Sequence, residues 1–122
     1  MSKARRTEAE QRGRRGETLA VWWLRLTGWR ILGRRLRVGA GEVDIVARRG
    51  GVVAFVEVKW RARAADLDYA VDAYRLRRVA RAAEVFAGRF ARHGDALRID
   101  VILLAPNRWP RRVAHVWQPG AT

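Results

Sequence analysis

The 122 residues suffice for one domain, and a hydrophobic content of 49% is ordinary for a globular chain. With no cysteine, a single serine at position 2 and two histidines, the composition excludes nucleophilic Ser or Cys catalysis and histidine-rich zinc sites. The 26 basic residues outnumber the 12 acidic ones, and the formal charge of +14 predicts a polyanionic partner, of which nucleic acid is the usual one.

Composition also suggests a cellular location and one alternative explanation of the charge. No apolar run approaches the roughly 18 residues that a membrane span requires, and no apolar stretch follows the basic N-terminus as an export signal would. The expected location is therefore the cytoplasm, with no membrane partner. The alternative to a nucleic-acid partner is codon bias, because 24 of the 26 basic residues are arginine.

Residues 1–12 are polar, charged and aperiodic, and they predict a flexible basic arm. A first helix is predicted over residues 16–27, where Gly28 supplies the C-terminal stop. Glu17 shares the helical spacing of the apolar side chains, so it is expected to face the core. These apolar side chains are Ala20, Val21 and Leu24.

Three strands, a long helix and two further strands follow. Gly50–Gly51 is a two-residue hairpin signal, and the run after it is apolar on both faces, which indicates a central strand. The order predicts an α/β fold with a central mixed sheet flanked by helices, in one domain over residues 13–118 with a tail at 119–122. The predicted strands are 29–38, 42–48, 52–60, 97–105 and 112–117, and the predicted helix is 67–91.

The hairpin brings four ionisable side chains together. Counting outward from the Gly50–Gly51 turn places Asp44 opposite Glu57 and Glu42 opposite Lys59. Cross-strand partners share a face, with Cβ atoms about 5 Å apart, and moving the turn by one whole register step keeps all four side chains on that face. A three-residue turn would instead flip one strand and separate them.

Two facing carboxylates on a buried strand are destabilising unless a cation compensates their charge. A hard divalent cation, Mg²⁺ or Mn²⁺, would bind Asp44 and Glu57, and Glu17 could add a third carboxylate from the helix. Lys59 is one of only two lysines, and a buried ammonium beside a scissile phosphate can orient a water and stabilise developing charge. The alternative for Lys59 is a neutral ion pair with Glu42 or Glu57.

Three blocks of sequence and a late strand carry a resemblance to a known family. They resemble the YraN family of uncharacterised bacterial proteins over about residues 13–104. That family looks like a branch of the PD-(D/E)XK nuclease superfamily, related to archaeal Holliday-junction resolvases, which implies a restriction-endonuclease-like αβββαβ core. The blocks are Gly13-Arg-Arg-Gly16-Glu17, Gly41-Glu42-Val43-Asp44-Ile45-Val46, Phe55-Val56-Glu57-Val58-Lys59-Trp60-Arg61 and Arg98-Ile99-Asp100-Val101.

The resemblance also implies roles for the clustered residues. Asp44 corresponds to the aspartate of the superfamily motif, and Glu57 and Lys59 correspond to its (D/E)xK. Glu17 matches a helical glutamate that often joins the metal shell, and the implied chemistry is metal-dependent phosphodiester hydrolysis. The family often carries Lys-Gln on the helix after the third strand, where this chain has Arg75 followed by leucine.

Basic and aromatic residues around this cluster are the expected nucleic-acid contacts. Among other tryptophans, Trp109 in a loop is a further stacking candidate, whereas positions 22, 23 and 29 are expected to pack in the core. Asp100 is expected to pair with a nearby arginine, Arg98 or Arg61. The contact residues are Arg14, Arg15, Trp60, Arg61, Arg75 and Arg78, with Glu42 as an accessory acidic residue.

Three functions stay open at the level of sequence. The first is a Mg²⁺- or Mn²⁺-dependent nuclease that acts on DNA in preference to RNA, on branched or damaged structures; cleavage of both strands would favour a homodimer. The second is a non-catalytic nucleic-acid-binding protein on the same fold. The third is an interaction protein whose basicity reflects codon usage alone.

Overall fold

The computed structural model describes residues 3–60 and 73–117. This part of the chain forms two helices and five strands. They are α1 (Lys3–Leu26), β1 (Arg30–Val38), β2 (Gly41–Arg49), β3 (Val52–Trp60), α2 (Ala73–Phe90), β4 (Ala96–Leu104) and β5 (Arg111–Trp117).

The strands form one mixed sheet in the order β1-β2-β3-β4-β5. Neighbouring strands are antiparallel except β3 and β4, which run parallel. A parallel pair needs a crossover connection, and α2 lies between β3 and β4 in sequence to supply it. The predicted αβββαβ order, with a mixed sheet flanked by helices, is confirmed.

Each helix covers one face of the sheet, so the core has two layers. The α1 cluster joins α1 to one face and the α2 cluster joins α2 to the other, and β3 contributes to both, as its two-sided apolar sequence predicted. The α1 cluster includes Ala20, Val21, Leu24, Ile45, Ala54 and Val56. The α2 cluster includes Leu76, Val79, Ala83, Val43, Val53 and Phe55.

The first helix is longer than the sequence predicted. Residues 1–12 were expected to form a flexible arm, but α1 begins at Lys3. This segment has no apolar periodicity, yet alanine, arginine, glutamate and glutamine all have high helix propensity. Helix propensity therefore explains why the helix begins earlier than the apolar periodicity predicted. Residues 61–72 and 118–122, which include the start of the predicted second helix and the predicted tail, lie outside the described part of the chain.

The tryptophans divide between core and surface. Trp29 is buried, as predicted. The prediction was wrong for Trp22, which is 57% exposed, because α1 uses a different stripe for its core contacts. Neither described helix combines the length and hydropathy needed to cross a membrane.

Gly41 sets how closely β2 approaches α2. A Cβ atom at this position would lie 2.8 Å from the backbone nitrogen of Ala82, a separation that requires one element to move. The backbone of α2 cannot yield as a flexible side chain would, so the close approach depends on glycine here.

We predict that Gly41→Ala lowers the free energy of unfolding by about 1–3 kcal/mol through this overlap. Gly88→Ala is the matched control, because a Cβ there meets nothing within 4 Å and the residue lies in α2. That change should be neutral or stabilise by up to about 1 kcal/mol. Urea unfolding of both variants measures the difference, and equal stability would contradict the close packing.

Candidate active site

The hairpin register around the Gly50–Gly51 turn is the predicted one. Arg49 pairs with Val52, and the ladder continues regularly to Ile45 and Val56. It ends there, before the predicted pairs of Asp44 with Glu57 and Glu42 with Lys59. Beyond the ladder, the backbone N–H of Val58 donates a hydrogen bond to Asp44 Oδ2 at 2.8 Å. The Asp44 carboxylate therefore accepts the hydrogen bond of Val58 N–H, in place of a backbone carbonyl of β2, just beyond the end of the β2–β3 ladder.

The irregularity is visible in the packing of β2. Ile45 belongs to the α1 cluster, whereas Val43 belongs to the α2 cluster, although residues two apart in a regular strand share a face. The register of β1 with β2 places Arg35 at the level of Asp44, and Arg35 has a φ of +52°, in the left-handed region. Both strands thus change their side-chain alternation at the level of Asp44.

Asp44 has a strongly perturbed carboxyl group. Burial raises its pKa to about 7, and the negative charges of Glu57, Glu17 and Glu42 add to the rise, against the opposing effect of the Val58 N–H. These four carboxylates are therefore close enough to interact. Among the described residues, Asp44 differs from the other three because no cationic side chain forms an ion pair with it.

Glu57 and Lys59 form a buried pair on β3. Their exposed fractions are 5% and 6%, and Lys59 Nζ lies 3.3 Å from Glu57 Oε1. Arg75 of α2 donates to the same oxygen at 3.0 Å. The ion pair that the sequence offered as an alternative for Lys59 is present, and it holds the ammonium at the carboxylate cluster.

Glu17 is buried on α1, as its helical position predicted, with an exposed fraction of 7%. Its carboxylate accepts hydrogen bonds from the Nε atoms of Arg34 at 3.1 Å and Arg35 at 3.0 Å. Adjacent residues of a regular strand point to opposite faces, so the left-handed backbone of Arg35 is what lets both side chains reach one glutamate.

The predicted set of three metal ligands is not assembled. Across residues 3–60 and 73–117, no three Asp, Glu, His or Cys side chains converge as a group that could hold a metal ion. Glu17 interacts with its two arginines instead. Asp44 and Glu57 remain as the carboxylates that could bind a cation together.

The accessory glutamate and the predicted nucleic-acid contacts occupy different environments. Glu42 binds Arg78 at 3.1 Å, so Arg78, like Arg75, neutralises an acidic side chain at the site. Trp60 is half-buried and packs against the α1 cluster. Arg15 is exposed on α1 and Arg14 lies in the same helix, whereas Arg61 lies outside the described residues.

Sequence reasoning missed Arg34 and Arg35 as part of the site. Neighbouring strand positions predicted opposite faces, and no sequence signal marked Arg35 for a left-handed conformation. Asp100 was interpreted correctly: it is fully buried and pairs with Arg98 at 3.1 Å, and Arg112 joins it at 3.0 Å. The guanidiniums of both arginines also lie over the Trp29 ring, 5.3 and 5.4 Å from its centroid.

Comparison with known proteins places the chain in a family. The sequence profile described as "Uncharacterised protein family UPF0102" matches residues 16–104, a range that contains Asp44, Glu57 and Lys59. The chain belongs to the UPF0102 family. The predicted membership of a YraN-like uncharacterised bacterial family is thereby confirmed.

Relatives within the UPF0102 family match nearly the whole chain. A UPF0102 protein of Sphingopyxis alaskensis is 70% identical over 93% of this chain and 98% of its own length. One of Erythrobacter litoralis is 56% identical over 94% of this chain and 99% of its own length. One of Maricaulis maris is 44% identical over 98% of this chain and 94% of its own length.

We predict an unusual pH dependence of stability from Asp44. Its pKa is about 7 in the folded protein and 3.8 ordinarily, so between these values the folded state holds a proton that the unfolded state has lost. Stability should therefore fall as pH rises from about 4 to about 7. The Asn side chain of Asp44→Asn keeps an oxygen acceptor for Val58 N–H. Above pH 7, the free energy of unfolding of this variant should exceed that of the parent by on the order of a few kcal/mol.

Asp95 is the control, because its pKa is lowered in the folded protein whereas that of Asp44 is raised. The hydrogen bond from Arg48 and then that from the backbone N–H of Arg92 lower its pKa to about 2. Asp95→Asn should therefore destabilise at neutral pH, and its deficit should disappear as pH falls from about 4 to about 2. Urea unfolding at stepped pH measures both variants. An Asp44→Asn curve parallel to that of the parent would disprove the raised pKa.

Proposed function

We propose that this protein is a metal-dependent nuclease that hydrolyses phosphodiester bonds in DNA. The observation that carries the proposal is the Asp44 carboxyl, partly buried among three other carboxylates and lacking an ion-paired cationic side chain in the described part of the chain. Such a group costs stability when ionised unless a cation joins it. Perturbed titration of this kind is typical of functional sites.

The donor set suits a hard divalent cation. Mg²⁺ typically takes one or two protein carboxylates and completes its shell with waters and substrate phosphates, so Asp44 and Glu57 suffice without a third ligand. When bound there, Mg²⁺ or Mn²⁺ would supply Lewis-acid polarisation of the phosphate and activation of a water. Glu17 would stay with Arg34 and Arg35.

Lys59 and Arg75 are the cationic groups placed to act on a phosphate. Lys59 Nζ is buried and held 3.3 Å from Glu57 Oε1, so it can orient a water or stabilise negative charge on the phosphate without moving far. The Arg75 side chain is 53% exposed while its guanidinium contacts Glu57. It can therefore meet a substrate arriving from solvent and take the place of the family's usual lysine.

A polyanionic substrate fits the charge of the whole molecule. The formal charge is +14, and a positive field raises the encounter rate with nucleic acid. We favour DNA over RNA, with branched or damaged structures as substrates and a cytoplasmic location. If both strands of a duplex are cut, we expect a homodimer to do so.

We predict Mg²⁺- or Mn²⁺-dependent cleavage when the purified protein is incubated with branched, single-stranded or duplex DNA, and no cleavage in EDTA. Glu57→Gln and Lys59→Met should each lower the rate about 10²-fold or more, because each removes a group that acts on the reacting phosphate or its cation. A gel assay of labelled strands measures this.

Glu84→Gln is the matched control for these variants, because Glu84 is an exposed carboxylate on α2 and is not among the charges that act on Asp44. It should cleave like the parent. Circular dichroism shows whether each variant is folded. The nuclease proposal fails if no strand is cut with either metal, or if folded Glu57→Gln and Lys59→Met cleave at the parent rate.

Cation binding can be tested without any substrate. We predict that isothermal titration at about pH 7.5 detects Mn²⁺ binding to the parent and to Glu84→Gln, and that Asp44→Asn and Glu57→Gln abolish it. Binding should weaken towards pH 6, because a proton on Asp44 competes with the metal at a group whose pKa is about 7. Undiminished binding by Asp44→Asn would remove this residue as a ligand.

A non-catalytic nucleic-acid-binding protein is the second candidate. It is favoured by the two cationic side chains already on Glu57 Oε1, Lys59 and Arg75, which balance that charge without a metal. This function predicts DNA binding that weakens with salt, needs no divalent cation and is unchanged in Lys59→Met. Fluorescence anisotropy in EDTA, beside the cleavage assay, separates the two functions.

A further inference from the structure

An apolar stripe of α1 faces solvent rather than the sheet. Its members are spaced three, four and seven residues apart, so they lie on one side of the helix, while Ala20, Val21 and Leu24 fill the core from another side. We call this stripe, together with Trp109, the tryptophan face. It consists of Leu19, Trp22, Trp23, Leu26 and Trp109, and each of these except the partly buried Trp23 is exposed.

Trp109 joins the stripe from the segment between β4 and β5. Its ring centroid lies 5.9 Å from that of Trp23, and the side chain is nevertheless 82% exposed. Pro106 and Pro110 flank the segment, and Asn107 turns it with a φ of +59°. Because prolines restrict the backbone, the exposed ring projects from a segment with limited backbone freedom.

The segments that carry the tryptophan face contain arginines and no acidic residue. The two segments that build it, residues 18–30 and 105–114, contain no aspartate or glutamate. Arg25 lies 5.8 Å from the centre of the Trp22 ring, near enough for a cation–π contact. The exposed arginines of these segments are Arg25, Arg30, Arg108 and Arg111.

We propose that the tryptophan face binds unpaired nucleotides of a nucleic acid. Bases stack on the exposed rings of Trp22 and Trp109, and the neighbouring arginines meet the phosphates. Every base has an aromatic face, so this recognition tolerates any sequence, but it requires bases that a duplex does not expose. The inference rests on the proposed function in assigning nucleic acid as the partner, and it narrows the substrate class to strands with an unpaired stretch.

Charge argues against a second copy of this chain as the occupant of the tryptophan face. A second copy of this chain would bring another +14 against a surface whose charged residues in these segments are all arginine, so the repulsion would oppose the dimer. A single strand supplies flat apolar rings and regularly spaced negative charge together. It therefore complements both the rings and the arginines.

The test is fluorescence anisotropy in EDTA, so that no strand is cut, with a labelled oligothymidine of about 20 nucleotides, longer than a typical site. An abasic strand of equal length keeps the phosphates and removes the bases. The parent should bind the oligothymidine more tightly than the abasic strand. Trp22→Ala and Trp109→Ala should each weaken oligothymidine binding about tenfold and leave abasic binding unchanged.

Two matched variants separate stacking from apolar area. Leu26→Ala removes an exposed apolar side chain from the same stripe without an aromatic ring, and it should bind the oligothymidine like the parent. Trp109→Phe keeps an aromatic face and should recover most of the affinity lost in Trp109→Ala. Because these side chains are exposed, circular dichroism should show every variant folded.

Three outcomes decide the inference. Equal oligothymidine binding by the parent and both alanine variants overturns it, whatever the cleavage assay gives. A parent dimer in sedimentation that becomes a monomer in Leu26→Ala assigns the face to a second copy and also overturns it. Tryptophan-dependent binding of the oligothymidine upholds it, even if no strand is cut with Mg²⁺ or Mn²⁺, a result that would defeat only the nuclease proposal.

Discussion

The hydrogen bond from Val58 N–H to Asp44 Oδ2 is the contact on which the site depends. It stands where the β2–β3 ladder ends, so the strands can separate without leaving this backbone donor unpaired in a partly buried place. It also fixes a carboxylate between them. The bond alone would lower the pKa of Asp44, but burial and three neighbouring negative charges outweigh it. The Val58 N–H therefore has a hydrogen-bond acceptor, while the Asp44 carboxyl binds a proton more tightly than an ordinary aspartate does.

The arginines and Lys59 form ion pairs with three of the four carboxylates of the cluster. Glu17 has Arg34 and Arg35, Glu57 has Lys59 and Arg75, and Glu42 has Arg78 and Arg37. Asp44, within the described residues, has a backbone amide instead. Compensated charges need no further partner, so the unbalanced charge of the cluster falls on Asp44. In the proposed function, this one position would accept either a proton or a metal cation, so metal binding there would depend on pH.

Sequence predicted the architecture well because the signals were local and strong. The glycine turn fixed the hairpin register, and the two-sided apolar run of β3 predicted its central position. The sequence-based prediction failed where the strands are irregular. Val43 and Ile45 point to opposite faces of the sheet and Arg35 has a left-handed backbone, and both features depend on how β1, β2 and α1 pack together. The position of Glu17 on the core side was predictable from helical spacing, but its arginine partners were not, since a regular strand cannot present two adjacent side chains to one group.

The placement of the arginines bears on whether codon usage alone explains the charge. Codon usage accounts for arginine in place of lysine, but it does not explain why lysine is retained at position 59, buried against Glu57. It also does not explain why several guanidiniums balance particular carboxylates. Elsewhere, the segments that carry the exposed rings of Trp22 and Trp109 contain exposed arginines and no acidic residue. In the proposed function, the positive charge of these segments would meet the phosphates of a nucleic acid.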